Sequence, residues 1–135
     1  MIRYRNFLGF SALVLVVLIW SSCGSQRKFF GAENFDAFYQ RFHTDSAFQY
    51  TRLKFPLQGK RVDADGDHQW TPKSWTPLTK PVFDADTTVF NVEYEQTQNT
   101  FTQKSWIDSS GFSVEYRFEL LKRKWYLVYA MEVNL

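Results

Sequence analysis

A regular alternation of apolar and polar residues near the C-terminus constrains the fold more than any other feature of the sequence. Every second residue from 112 to 120 is apolar, and serine, glutamate and arginine occupy the positions between. A second alternating run covers residues 125–133, after the basic turn at residues 122–124. Period-two runs joined by a short polar turn predict a β-hairpin. Because Tyr126 and Val128 make the other face of the second run apolar as well, we expect that strand to be covered on both sides.

Helical periodicity comes earlier in the chain. Residues 32–43 carry an apolar stripe at i, i+3, i+4 and i+7, formed by Phe35, Phe38, Tyr39 and Phe42. A second helical turn near residues 46–50 and a strand over residues 51–57 follow, with Pro56 indicating an edge position or a strand end.

The rest of the chain reads as an irregular segment followed by β-structure. Residues 58–86 are expected to be irregular, with a short strand around residues 68–70. Further strands are predicted from residue 87 to 94 and over residues 101–107. This order predicts an α+β fold in which the N-terminal helix packs in a curved, cone-like antiparallel β-sheet.

The first 22 residues have the character of a secretory signal peptide. Arg3 and Arg5 form a basic start, residues 7–20 carry no charge, and two serines precede Cys23. This ending resembles the bacterial lipobox, in which small residues precede a lipidated cysteine, although Trp20 stands where leucine is commonest. An uncleaved signal anchor is the alternative, since residues 7–24 are just long enough to span a thin bilayer if the arginines before them extend to the interface.

Cleavage before Cys23 divides the chain into a signal peptide (residues 1–22), a lipidated tether (23–30) and one α+β domain (31–135). We expect Cys23 to carry fatty acyl chains such as palmitate and to bind the lipid bilayer of a bacterial cell envelope. Bacterial lipoproteins destined for the cell surface often carry an acidic signal just after the cysteine. Residues 24–28 are not acidic, so the resemblance to such lipoproteins implies the periplasmic side.

The exported chain is almost neutral, with 22 of the 26 aromatic residues retained and no cysteine left for a disulfide. Its core must therefore stabilise it, which a chain of this length rich in aromatic residues can do. The sequence contains no stripe of lysine and arginine residues that would indicate a nucleic-acid partner.

Recognisable catalytic or metal-binding motifs are absent from the sequence, and it predicts no cofactor. The acidic segment at residues 63–67 raises a calcium hypothesis, but its spacing differs from that of an EF-hand and favours a solvated hairpin turn. His43 and His68 are interpreted as a helix-end and a turn residue, with a shared metal or acid–base site as the weaker alternative.

Aromatic and basic residues offer a possible ligand-lining set. Trp70 and Trp75 either line an apolar pocket or pack the irregular segment onto the sheet, and the second interpretation is favoured. Arg52 and Lys54, the second of which adjoins Phe55, either position an anion at the mouth of the cone or are solvated charges.

Two segments of the sequence resemble those of a known protein family. The aromatic helix and the Arg52-Leu53-Lys54-Phe55-Pro56-Leu57 segment resemble a family of short bacterial lipoproteins of unknown function, which end in strands similar to those here. The resemblance covers most of residues 33–133. It implies a fold similar to nuclear transport factor 2 (NTF2-like, or cystatin-like) and carries over no catalytic residues.

Three functions stay open from the sequence. The first is a membrane-anchored binding or interaction module for a small apolar ligand or an envelope protein partner. The second, by analogy of fold, is an isomerase or dehydratase that uses an acid or histidine in the cone, with Asp108 and Glu115 as the residues to inspect. The third is a structural envelope protein that oligomerises through its sheet.

Overall fold

Two short helices precede six strands in the computed structural model, which describes residues 31–135. The predictions of a signal peptide, a lipidated Cys23 and a tether therefore lie outside the described residues. The helices are α1 (Phe35–Thr44) and α2 (Ser46–Thr51). The strands are β1 (Leu53–Asp63), β2 (Gly66–His68), β3 (Asn91–Gln96), β4 (Thr100–Ile107), β5 (Phe112–Leu121) and β6 (Lys124–Asn134).

The six strands form one curved sheet in the order β2-β1-β6-β5-β4-β3. All neighbours are antiparallel except β1 and β6, the first and last of the six strands, which are parallel. The predicted α+β architecture, with the first helix on the concave face, is confirmed. Within residues 31–135, none of the helices has the length and apolar character needed to cross a bilayer.

The N-cap residue of helix α1 determines where the helix begins. The side chain of Asn34 accepts a 2.9 Å hydrogen bond from the backbone N–H of Ala37, so the helix starts at Phe35 and not at the predicted residue 32. The predicted aromatic stripe is buried as expected. It packs on Phe101, Phe118 and Trp125 of the sheet, with ring centroids 4.6–5.9 Å apart.

Strand β6 contains a β-bulge that the sequence pattern did not indicate. Phe118 pairs with Leu127 and Arg117 pairs with Tyr129, so Val128 has no partner on β5. Before the bulge Trp125 and Leu127 face the helix, and after it the inward positions shift by one residue. The prediction that Tyr129, Met131 and Val133 continue the same face is therefore wrong.

The outer face of β6 is only half-covered. Tyr126 and Tyr129 are partly buried beneath the guanidinium groups of Arg52 and Arg117, at 5.6 and 5.2 Å from the ring centroids. Within residues 31–135, arginine side chains and not a second layer of structure cover this face. The expected two-sided burial of the strand thus holds for the inner face alone.

Strand β1 is longer than predicted and continues through Pro56. The pairing of β1 with β6 breaks between Leu53 and Gln58, and Pro56 lies in that break, where its missing N–H removes no ladder hydrogen bond. The strand then continues to Asp63 and turns into β2. The predicted turn at residues 63–67 is confirmed, whereas the short strand is Gly66–His68 and not residues 68–70.

Gly59 allows a close approach between β1 and β6. Its φ is +87°, and it lies opposite Ala130, whose carbonyl also accepts a 2.8 Å hydrogen bond from Trp70 Nε1. A Cβ at this position would overlap that carbonyl group. Both the positive φ and the overlap with Ala130 therefore exclude a side chain at this position.

Gly59→Ala is expected to lower the free energy of unfolding by at least about 2 kcal/mol more than Gly66→Ala, since only the first substitution adds a steric overlap. Gly66 is the matched control because its φ is +120° and its Cβ would meet nothing within 4 Å. Urea unfolding of both variants measures the difference. Equal losses would show that the approach of β1 to β6 is not tight at Gly59.

Candidate functional site

A difference in length between helix and strands leaves part of the concave face uncovered. Helix α1 has 10 residues and is therefore about 15 Å long. Strand β5 also has 10 residues, but an extended chain of that length covers about 34 Å. The aromatic stripe of α1 fills one half of the concave face, and the half that carries Phe112 and Val114 stays open.

A cavity of about 440 Å³ occupies this open half. Its floor is the inner face of β4 and β5, and its wall is the segment from Pro77 to Asp86. The floor is lined by Gln103, Ser105, Phe112, Val114 and Tyr116. A volume of this size with mainly apolar walls and a few polar groups is typical of sites for small molecules.

Gln49 holds the start of the cavity wall. This side chain is fully buried on α2, where its amide nitrogen donates to the carbonyls of Phe42 (2.6 Å) and Leu78 (2.8 Å). Its amide oxygen accepts from Trp75 Nε1 and from the backbone N–H of Leu78, both at 2.9 Å. All its hydrogen-bonding groups are satisfied, so one buried amide fixes the irregular segment to the helices.

Tyr39 holds the wall at a second point. Its hydroxyl donates to Gln103 Oε1 on the floor and accepts a 3.0 Å hydrogen bond from the backbone N–H of Val82, in a single 3₁₀ turn (Val82–Asp84). Burial raises the pKa of Tyr39 to about 12, so the phenol stays protonated and keeps both bonds at ordinary pH. Sequence periodicity identified Tyr39 as a core residue but did not indicate this polar role.

A smaller cavity of about 310 Å³ adjoins the first and shares Phe112 and Val114 with it. Its other lining residues are Arg61, Asp63, Glu132, Val133 and Asn134. Together these two cavities are called the mouth. The β-bulge in β6 accounts for the position of Glu132, since without the one-residue shift this carboxylate would lie on the outer face.

The mouth contains two groups of polar contacts. The hydroxyl of Tyr116 donates a 2.6 Å hydrogen bond to Glu132 Oε1. Burial, followed by the charge of Glu132, raises the pKa of Tyr116 well above its usual value, so it acts as a neutral donor. Asp63 accepts from His68 Nε2 at 2.9 Å and lies 3.2 Å from Arg61 Nε.

The pKa of Asp63 is lowered, chiefly by the hydrogen bond from His68 and also by the charge of Arg61. Asp67 pairs instead with Lys60 on the neighbouring strand. The acidic turn is thus occupied by contacts with basic and histidine side chains. Within residues 31–135, no group of three or more metal-ligating residues could hold an ion.

The predicted ligand-lining residues lie away from the mouth. Trp70 and Trp75 are buried against each other, with ring centroids 5.2 Å apart, which is the packing interpretation favoured from the sequence. Phe55 is partly buried against the core, and Arg52 forms a bidentate ion pair with Glu33. Their participation in ligand binding stays a prediction, and none of them lines either cavity of the mouth.

The two carboxylates proposed for an enzyme also lie outside the mouth. Asp108 is exposed in the turn after β4, where it accepts a 3.0 Å hydrogen bond from Trp106 Nε1. Glu115 faces the convex side, because the inward positions of β5 are those of Val114 and Tyr116. The structure therefore brings neither carboxylate to the concave face.

Comparisons with known proteins agree with this architecture. A protein-family model matches residues 33–134, almost all of the described unit. The chain therefore belongs to the family that this model describes, and its α+β fold is of the cystatin-like and NTF2-like kind. No curated protein matches the sequence.

Solved structures of three Bacteroides proteins share the fold. A cystatin-like protein from Bacteroides caccae has 22% identity over 75% of this chain and 76% of its own, with a TM-score of 0.56. An NTF2-like protein from Bacteroides fragilis has 20% identity over 77% of this chain and 48% of its own, with a TM-score of 0.54, so this chain spans about half its length. A protein from Bacteroides uniformis, solved by NMR, has 22% identity over 76% and 77%, with a TM-score of 0.50. At these identities the similarity concerns the fold alone.

His43 is buried beside the ring of Tyr39, whereas the sequence led us to expect a capping or surface residue at the helix end. Its Nδ1 lies 2.8 Å from the carbonyl of Tyr39, and its buried Nε2 has no hydrogen-bond partner among the described residues. Burial lowers the pKa of His43 despite the opposing effects of the Tyr39 carbonyl and of Asp84.

A histidine whose pKa is depressed in the folded state binds more protons when unfolded. The free energy of unfolding is therefore expected to decrease as the pH falls through about 6.5, the unfolded-state pKa of histidine. His43→Leu should show a smaller decrease, because leucine fills the site without binding a proton. Urea unfolding of both proteins at pH values above and below about 6.5 measures this decrease. An identical pH dependence in the two proteins would contradict the lowered pKa of His43.

Proposed function

We propose that this protein is a lipid-anchored binding module that faces the periplasm and holds a small ligand with an apolar body in its mouth. The observation that carries the binding proposal is the cavity of about 440 Å³, whose floor and wall are mainly apolar with a few polar groups among them. The NTF2-like fold supports it, since a curved sheet with a short helix leaves such a space open.

The organisation of the wall gives further support to binding. Gln49 and Tyr39 fix the segment from Pro77 to Asp86 at two points, and both do so by buried hydrogen bonds. A wall held in place before a ligand arrives loses little conformational entropy on binding. This preorganisation is what a binding site requires.

Filling the cavity tests the binding proposal. Ser105 lies on the floor, so Ser105→Phe is expected to occupy the space and weaken binding of 2-phenylethanol at least about tenfold. Lys104→Phe is the matched control, because Lys104 is the exposed neighbour of Ser105 on the same strand. Saturable shifts of the Val114 methyl NMR signals, recorded on the full-length protein in detergent micelles, measure the affinity.

Retention of wild-type affinity in Ser105→Phe, or no saturable shift in the wild type, would contradict the proposed binding site. Equal losses in both variants would show a general effect of phenylalanine on the sheet, which also counts against the cavity. Circular dichroism of each variant checks that the fold is retained.

The anchor is supported by the sequence: a basic start, an uncharged stretch and the only cysteine of the chain preceded by two serines. Intact-mass spectrometry of the full-length gene product, extracted from bacterial membranes, is expected to show a cleaved chain that carries two or three acyl groups. Cys23→Ala should lack the acyl mass and keep residues 1–22. An unmodified wild-type chain of full length would instead support the uncleaved signal anchor.

A further inference from the structure

A row of side chains crosses the concave face of the mouth from charged to apolar. Arg61 on β1 is level with Glu132 on β6, and Glu132 is level with Val114 on β5. The row continues to Ser105 on β4 and Val92 on β3. A ligand lying along this row with its apolar body over Val114 therefore brings one end next to Glu132.

Glu132 has an incomplete set of partners for a carboxylate at the edge of an apolar cavity. Its Oε1 accepts the hydrogen bond from the neutral hydroxyl of Tyr116. Among the ion pairs of residues 31–135 none includes Glu132. A cation bound beside Glu132 would supply the counter-charge that this carboxylate lacks.

Arg61 does not supply the missing charge. Although it is level with Glu132, its guanidinium Nε lies 3.2 Å from Asp63 Oδ2, two residues along the same strand. Asp63 thus offsets Arg61, and the smaller cavity keeps an excess of one carboxylate.

The charge of the surrounding surface has the same sign. The larger cavity is lined by Asp84 and Asp86 against Lys80. In residues 31–135 as a whole, twelve basic residues stand against fourteen acidic ones, because four of the sixteen basic residues lie in residues 1–30. Acidic groups in a cleft with low-dielectric walls attract cations and repel anions.

We infer that the ligand of the mouth carries a basic group, an ammonium or a guanidinium, which pairs with Glu132 while its apolar body lies over Phe112 and Val114. This inference rests on the proposed ligand-binding function and specifies the chemical class of its ligand. The hydroxyl of Tyr116 orients the carboxylate of Glu132 and leaves Oε2 for the cation.

Three probes that share a phenyl body test the inference: 2-phenylethylamine, 2-phenylethanol and 3-phenylpropanoate. The full-length protein in micelles of an uncharged detergent is titrated with each, and the Val114 methyl signals report the affinity. The amine is expected to bind about tenfold more tightly than the alcohol, because charge-assisted hydrogen bonds are stronger than neutral ones. The carboxylate is expected to bind more weakly than the alcohol.

Glu132→Gln keeps the size of the side chain and its hydrogen bond with Tyr116 while it removes the charge. It is expected to abolish the preference for the amine, so that 2-phenylethylamine and 2-phenylethanol bind to the variant with about equal affinity. Glu119→Gln is the matched control, since Glu119 is on the convex face of β5 and should keep the preference.

Equal affinity for amine and alcohol, or an amine preference that survives Glu132→Gln, would overturn the inference. A preference for 3-phenylpropanoate would also overturn it and would point to Arg61 as an anchor for anions. The proposed binding function stands in each of these cases if the wild type binds the alcohol and the Ser105→Phe variant does not. Absence of saturable binding by all three probes would overturn the inference and the proposed function together.

Discussion

The ion pair between Glu33 and Arg52 determines how the helices meet the sheet. Two guanidinium nitrogens of Arg52 donate to the two carboxylate oxygens of Glu33 at 2.8 and 2.9 Å. Glu33 also accepts from the backbone N–H of Trp125, and its own carbonyl accepts from Trp125 Nε1. Burial would by itself raise the pKa of Glu33, but the hydrogen bonds from Arg52 and from Trp125 outweigh it and hold the pKa below its usual value. The start of α1, the start of β1 and the start of β6 are thereby joined at one end of the sheet.

This fixed end explains where the open end lies. Because α1 begins at the Glu33 junction and covers about 15 Å, its aromatic side chains cannot extend along the whole of β5 and β6. The apolar surface beyond the helix is covered instead by an irregular segment that Gln49 and Tyr39 fix to the helices and the floor. The mouth is the space that remains between this segment and the sheet. Its position therefore follows from the relative lengths of the elements and from the end at which they are joined.

Much of the fold was predictable because periodicity reports burial directly. The alternation over residues 112–120 identified the inner face of β5, and the spacing of Phe35, Phe38 and Phe42 identified the buried stripe of α1. The candidate site was not predictable in the same way. Glu132 reaches the mouth only because of the bulge at Val128, and pattern analysis places it on the opposite face. Gln49 gave no signal at all, since a buried amide in a short helix has the same sequence appearance as a solvated one. In both cases a single tertiary contact overrides the local pattern.

The two ends of the sheet differ in the kind of interaction that they contain, and this difference bears on function. At the closed end aromatic packing, with Phe42, Phe101 and Phe118 fully buried, lies beside the ion pair of Glu33 with Arg52. Towards the mouth the buried groups are polar: Tyr39 with Gln103, and Tyr116 with Glu132. Apolar packing stabilises without specifying direction, whereas hydrogen bonds fix positions to within a fraction of an ångström. A chain that needed only to fold would gain nothing from partly buried, unpaired charge at the open end. Glu132 at the open end is therefore the group that ligand binding, as proposed, would use.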